Sequence, residues 1–202
     1  PRAASERFDL SGLEPMQLGY DVVIQGNAVG EMSQTLERVD DAWRLASSMT
    51  LGPQSISQEV VVDDALVFRS SAMTMQGGPQ TVTLEAARVG DRVVGSMEAG
   101  PRSQAVDFQA ADDVVISDAL DLALRVTELT EGKVITLPLA NPQSGTVENV
   151  TVTVVGVEDL TVPAGTYRAW RVEIGGAQAQ TIWLRDTYPH IPLKLAPRAQ
   201  PV

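Results

Sequence analysis

The sequence contains no cysteine. That excludes a disulfide frame, thiolate metal sites and a cysteine nucleophile, although an exported chain can fold without disulfides, so the compartment stays open. Aromatic residues are scarce at 4%, while apolar residues reach 44%. A core is therefore affordable, but Val, Leu, Ile, Met and Ala must build it. Positive charge is also in short supply, with 15 Lys and Arg against 26 Asp and Glu, a formal net charge of −11. Such a surface repels nucleic-acid backbones and anionic lipid head groups. No stretch approaches the roughly 18 consecutive apolar residues of a membrane-spanning helix. The chain opens Pro1-Arg2-Ala3-Ala4-Ser5 without a methionine, and we expect that an upstream signal peptide was removed.

What is present has a β rhythm. Residues 1–14 read as a polar, flexible arm, 15–196 as one β-rich domain and 197–202 as a tail. Strands are expected at Met16–Ile24, Glu31–Val39, Ala42–Leu51, Ser57–Val62, Leu66–Met75, Thr81–Val89 and Arg92–Met97. Gly52-Pro53, Gly78-Pro79 and Gly100-Pro101 each precede a strand-like run. Glycine tolerates positive φ and proline donates no ladder hydrogen bond, so these pairs suit hairpin tips. Asp40-Asp41, Asp63-Asp64 and Gly90-Asp91 supply further turns. Strands recurring at this spacing predict an antiparallel meander, sandwich or barrel.

One segment breaks the rhythm. Ser117 to Arg125 combines N-cap candidates with good helix formers, acidic residues in its first turn and Arg125 in its last. Leu120, Ala123 and Leu124 share a stripe that must lie against a sheet. Further strands are expected at Lys133–Leu139, Asn149–Val155, around Trp170, at Gln178–Leu184 and at Ile191–Leu195. In Val150 to Val154 the valines face one way and the threonines the other.

The order of motifs in the C-terminal half carries a resemblance. The helix Asp118 to Arg125 is followed by Glu131-Gly132-Lys133, a Val-Thr-Val strand and Val162-Pro163-Ala164-Gly165-Thr166-Tyr167. Trp170-Arg171-Val172-Glu173, Ile182-Trp183-Leu184 and Ile191-Pro192-Leu193-Lys194-Leu195 complete it. This order resembles the DUF3108 family and the TapB-like proteins, exported bacterial proteins. The resemblance implies an all-β fold: a single curved antiparallel sheet, or a half-open barrel, with one short covering helix near 117–125. It is similar in kind to the LolA/LolB-type lipoprotein carriers. It also implies a periplasmic or outer-membrane-associated location, and it brings no catalytic residues.

Little else points to chemistry. His190, the only histidine, lies between two prolines and reads as a loop residue with no second histidine for a metal. The pairs Asp40-Asp41, Asp63-Asp64 and Asp112-Asp113 sit in turns, and neighbours in an extended chain point apart. Gly-x-Ser-x-Gly elbows and EF-hand loops are absent. We therefore expect no enzyme activity, metal or cofactor. Two readings stay open. The chain is a binder of a lipid-like ligand in the concavity of a curved sheet, with Met73, Met75, Trp170, Val172 and Trp183 on the cavity wall. Alternatively it is an accessory module that docks to an envelope protein through a sheet edge or apolar face. On the second strand of the Pro163–Gly165 hairpin, period-two alternation turns Trp170, Val172 and Ile174 inward and Arg171 and Glu173 outward.

Overall fold

The computed structural model describes residues 8–177 and 179–197. Eight strands form an antiparallel meander: β1 (Met16–Ile24), β2 (Asn27–Val39), β3 (Ala42–Leu51), β4 (Gln54–Asp63), β5 (Phe68–Gln76), β6 (Val82–Val89), β7 (Arg92–Ala99) and β8 (Arg102–Gln109). A second sheet has the order β14-β13-β12-β11-β10-β9. Its strands are β9 (Val115–Ile116), β10 (Val134–Asn141), β11 (Thr146–Val162), β12 (Gly165–Ile174), β13 (Gln180–Arg185) and β14 (Pro192–Pro197). Only the short β9–β10 pairing is parallel among these ladders. The fold is all-β, a strongly curled half-barrel with one short helix. Its wall is hydrogen-bonded as two sheets rather than one. Among the described residues the ladder breaks between β8 and β9, and a side-chain bond joins the far edges, with Tyr20 Oη of β1 donating to Pro192 O of β14 at 3.1 Å.

Turn chemistry sorts the meander's two ends. The tips carrying Gly52-Pro53, Gly78-Pro79 and Gly100-Pro101 each join an odd strand to the next even one, so all three lie at the same end. The aspartate-bearing turns after β2, β4, β6 and β8 lie at the other. Gly52 takes φ +56°, which permits the two-residue tip.

The aspartate end is the closed one. Trp43, Val62, Phe68, Val93 and Phe108 are buried there on the meander's inner face. Val150, Val152, Val154, Val172, Ile174, Ile182 and Leu184 of the second sheet join the same core cluster. Residues 8–14 depart from the expected flexible arm. Phe8, Leu10 and Leu13 are buried in this core, and Leu10 N donates to Asp64 O at 2.8 Å. Three apolar side chains within six residues are enough to plug the closed end of a half-barrel. Residues 1–7 of the arm and 198–202 of the tail lie outside the described residues.

The helical segment is a 3-10 turn, Ser117–Ala119, running into α1, Leu120–Val126. It is buried on more than the one expected stripe, since Leu120, Leu122, Ala123, Leu124 and Arg125 are all buried. The cause is its place between the sheets, where the segment packs on both β4 and β10. His190, expected as a loop residue, is also buried. Its backbone N–H donates to Arg125 O at 2.9 Å, which ties the last turn of α1, and its Nδ1 lies 2.9 Å from Arg185 O.

Candidate functional site

The meander's inner face changes character along its length. Cross-strand pairing aligns Leu36, Leu45, Val60, Ser71 and Ala86 in one row, all buried. Two residues further along each strand, on the same face, comes Gln34, Ser47, Gln58, Met73 and Leu84. Two further still, next to the Gly-Pro tips, comes Tyr20, Met32, Met49, Ile56 and Met75. The interior thus passes from a dry core through an amide-rich layer to a thioether-rich rim.

The amide layer anchors the helix. Arg125, only 1% exposed, donates to Gln34 Oε1 and, at 2.8 Å, to Asp121 Oδ2. Gln34 Nε2 donates to the same carboxylate oxygen at 3.0 Å. Gln58 hydrogen-bonds the Asp118 carboxylate, yet burial outweighs this and holds the Asp118 pKa above the ordinary carboxylate value. Burial pushes the Tyr20 phenol up to about 12, so it stays a neutral donor. Asp121 Oδ1 and Arg125 Nε are buried without a partner among the described residues.

Beyond that layer lies an open concavity of about 330 Å³, lined by Met32, Met49, Met73, Met75, Ile56, Ser47, Gln58 and Gln143. Thioether side chains adapt to irregular apolar shapes. Gln143, from the β10–β11 turn of the second sheet, reaches over with Nε2 3.2 Å from Met73 Sδ.

Of the five residues expected on a cavity wall, Met73 and Met75 line this cleft. Trp170 and Val172 do not. Val172 is wholly buried and Trp170 packs against the core of the second sheet, opposite Leu184. Trp183 lies on the other face altogether. The β12–β13 register pairs it with Arg171, one residue off the inward Trp170–Leu184 pair. Its Nε1 donates to Glu158 Oε1 at 2.5 Å, and Lys194 Nζ sits 4.9 Å from its ring centroid. Pairing Trp170 with Trp183 on one wall is therefore corrected: a one-residue offset in register reverses the face. Arg171 and Glu173 take the outer face as expected, ion-paired at 2.9 Å and half-buried. Ala169 shares that face and is fully buried, so the face is not simply a wet one.

Ile56, Ser47, Gln58 and Gln143 escaped the sequence reading. A signal for most of them was present. Residues 45–58 and 70–84, which carry the core of the cleft, contain no Asp, Glu, Lys, Arg or His in a chain of net charge −11.

Four of the turn carboxylates, Asp41, Asp63, Asp64 and Asp112, are engaged structurally. Asp63 Oδ1 accepts from the backbone N–H groups of Ala65 and Val67, both at 2.9 Å. Arg69 pairs with Asp41, Arg38 with Asp64 and Arg88 with Asp112. Exposed pairs of this kind contribute little each. The Asp41 carboxyl, hydrogen-bonded by Arg69, is held down at about 2.

Fold and site together define a class: an all-β half-barrel with a buried polar layer beneath an open, methionine-lined cleft. The chain belongs to the DUF3108 family, described as a protein of unknown function, whose model matches residues 19–198. A search of curated proteins finds no match. Among solved structures, a DUF1089 family protein from Pseudomonas aeruginosa is similar at 11% identity, with a TM-score of 0.45, covering 88% of this chain and 95% of that one. No helix among the described residues is long and apolar enough to cross a membrane.

Proposed function

We propose that this chain is a non-enzymatic binder of a hydrophobic ligand in the bacterial envelope, and that the ligand lies in the cleft between the Gly-Pro tips and the amide layer. The observation that carries this reading is the convergence of Met32, Met49, Met73 and Met75 on one concavity of about 330 Å³. That volume falls within the usual range of small-molecule sites. Concave apolar surface left open to water is costly unless something covers it. The one hydroxyl in the lining, Ser47, stands in its row between Gln34 and Gln58, neither of which is a base. The envelope location rests on the family resemblance of the C-terminal motifs.

Native mass spectrometry of the chain purified from its own host tests the reading. An adduct of apolar small-molecule mass is expected, lost when Met49→Trp fills the cleft. A bare chain, or an adduct indifferent to that substitution, defeats it. The accessory-module reading has one observation of its own: Val23 and Ile24, 56% and 52% exposed, stand at the tip of edge strand β1. A protein partner recovered in the same experiment, and lost in Ile24→Asp, would favour it.

A further inference from the structure

Resting on that reading, we infer that the cleft selects an uncharged amphiphile: an aliphatic chain against the methionines, and a neutral hydroxyl- or amide-bearing head hydrogen-bonded by Gln58, Ser47 and Gln143.

The first support is the absence of a counter-ion in the walls. Strands β3 and β4 meet through residues 45–58, and β5 and β6 through 70–84, and neither stretch contains an ionisable side chain. Charge resumes only at their borders, with Arg44 and Glu59 on one hairpin and Arg69 and Glu85 on the other. Arg44 is held by Glu37 and Glu59, and Arg69 by Asp41. A carboxylate, phosphate or ammonium head entering the cleft would lose hydration and meet no partner of opposite sign in its lining.

The second support is the way the floor is wired. Asp118 is bonded to Gln58 in the floor. The Gln58 amide donates to that carboxylate, which leaves its carbonyl oxygen as an acceptor. An acceptor there calls for a hydroxyl or N–H on the ligand. An anionic head would stand close to Asp118 and be repelled. The buried cation Arg125 is already ion-paired with Asp121 and bonded to Gln34 through its Nη2.

The third support is the rim. Residues 22–30, which form the β1–β2 tip, are also free of charge, and Val23, Ile24 and Val29 are exposed there. The mouth is thus neutral on the side from which a ligand enters, although the chain as a whole is strongly acidic.

Isothermal titration of the intact chain with three probes below their micellar concentrations tests the inference: monodecanoylglycerol, decanoate and decyltrimethylammonium. The chain length is constant and only the head changes. The neutral probe is expected to bind at least roughly tenfold more tightly than either ion. Gln143→Leu, on an exposed turn, should narrow that preference, as should Gln58→Leu if its melting transition is retained. Met75→Trp, at a partly exposed position, should weaken all three probes. Decanoate or decyltrimethylammonium binding as tightly as the neutral probe overturns the neutral-head inference and leaves the cleft as a hydrophobic site. No binding by any probe, or binding unaffected by Met75→Trp, overturns the cleft reading and this inference with it.

Discussion

Arg125 donates to the Asp121 carboxylate at 2.8 Å, one helical turn earlier, while Gln34 of β2 bonds both partners. The pair ties α1 to the meander where the dry core gives way to the cleft. Removing one member strands the other, and an uncompensated buried charge is among the most costly defects a fold can carry. Asp121→Ala, which strands the wholly buried Arg125, should therefore lower unfolding free energy by about 3–5 kcal/mol in urea titration. Replacing all three groups together, with Arg125→Met, Asp121→Leu and Gln34→Leu, should recover most of that loss. A triple variant as unstable as the single one would show that packing, not charge, sets the cost.

Leu10 is wholly buried at the closed end, and its amide bonds Asp64 O. Leu10→Ala should cost about 2–5 kcal/mol, through lost transfer energy and the cavity left behind. A melting temperature unchanged by this substitution would return residues 8–14 to the status of a loose arm.

Trp170 packs on the second sheet's core but is only partly buried. Trp170→Ala should cost about 3 kcal/mol, the low end for a large aromatic truncation. It should leave binding of the proposed neutral amphiphile unchanged, because the ring does not line the cleft. Calorimetry and titration of the same variant separate the two effects, and a ligand defect at unchanged stability would refute this placement.

Gly165 opens β12 with φ +135°, a backbone conformation that side-chain-bearing residues rarely adopt. A Cβ there would meet Tyr167 only at ordinary contact distance, so the penalty is conformational. Gly165→Val should destabilise by about 1 kcal/mol or more, read as a shift in denaturation midpoint without change of slope.

Asp118 has its pKa raised by burial. The unfolded chain then releases this proton at a lower pH than the folded one does. Between the unfolded and folded pKa values the native state binds more protons, so this group's contribution to stability falls as pH rises and is restored on acidification. Asp118→Asn should stabilise the protein at neutral pH and have less effect in acid, where the native carboxyl is protonated too. Melting curves across that range check the sign. A larger benefit in acid than at neutral pH would contradict it.

Much of the architecture was legible from residue order. Alternation located Met16–Ile24 and Ala42–Leu51 to the residue, and the valines of Val150 to Val154 do face the core. These patterns are local: a period of two and a glycine at a tip need no knowledge of what packs above them. Boundaries slipped where a strand continues beyond its alternating part, as in β11, which runs from Thr146 to Val162.

Which residues meet was beyond the sequence. Trp170 and Trp183 each lie in a well-patterned strand, yet only the pairing register decides that they occupy opposite faces. Met32, Met49, Ile56 and Met75 are dispersed over four strands, and only the meander's cross-strand alignment makes them neighbours. The sequence determined the strands, the turns and the charge-free hairpins, because those follow from side-chain volume, backbone freedom and composition. Tertiary structure decided the cleft, the buried Arg125–Asp121–Gln34 cluster and the docking of Leu10, because each depends on contacts between segments far apart in the chain, which no local period encodes.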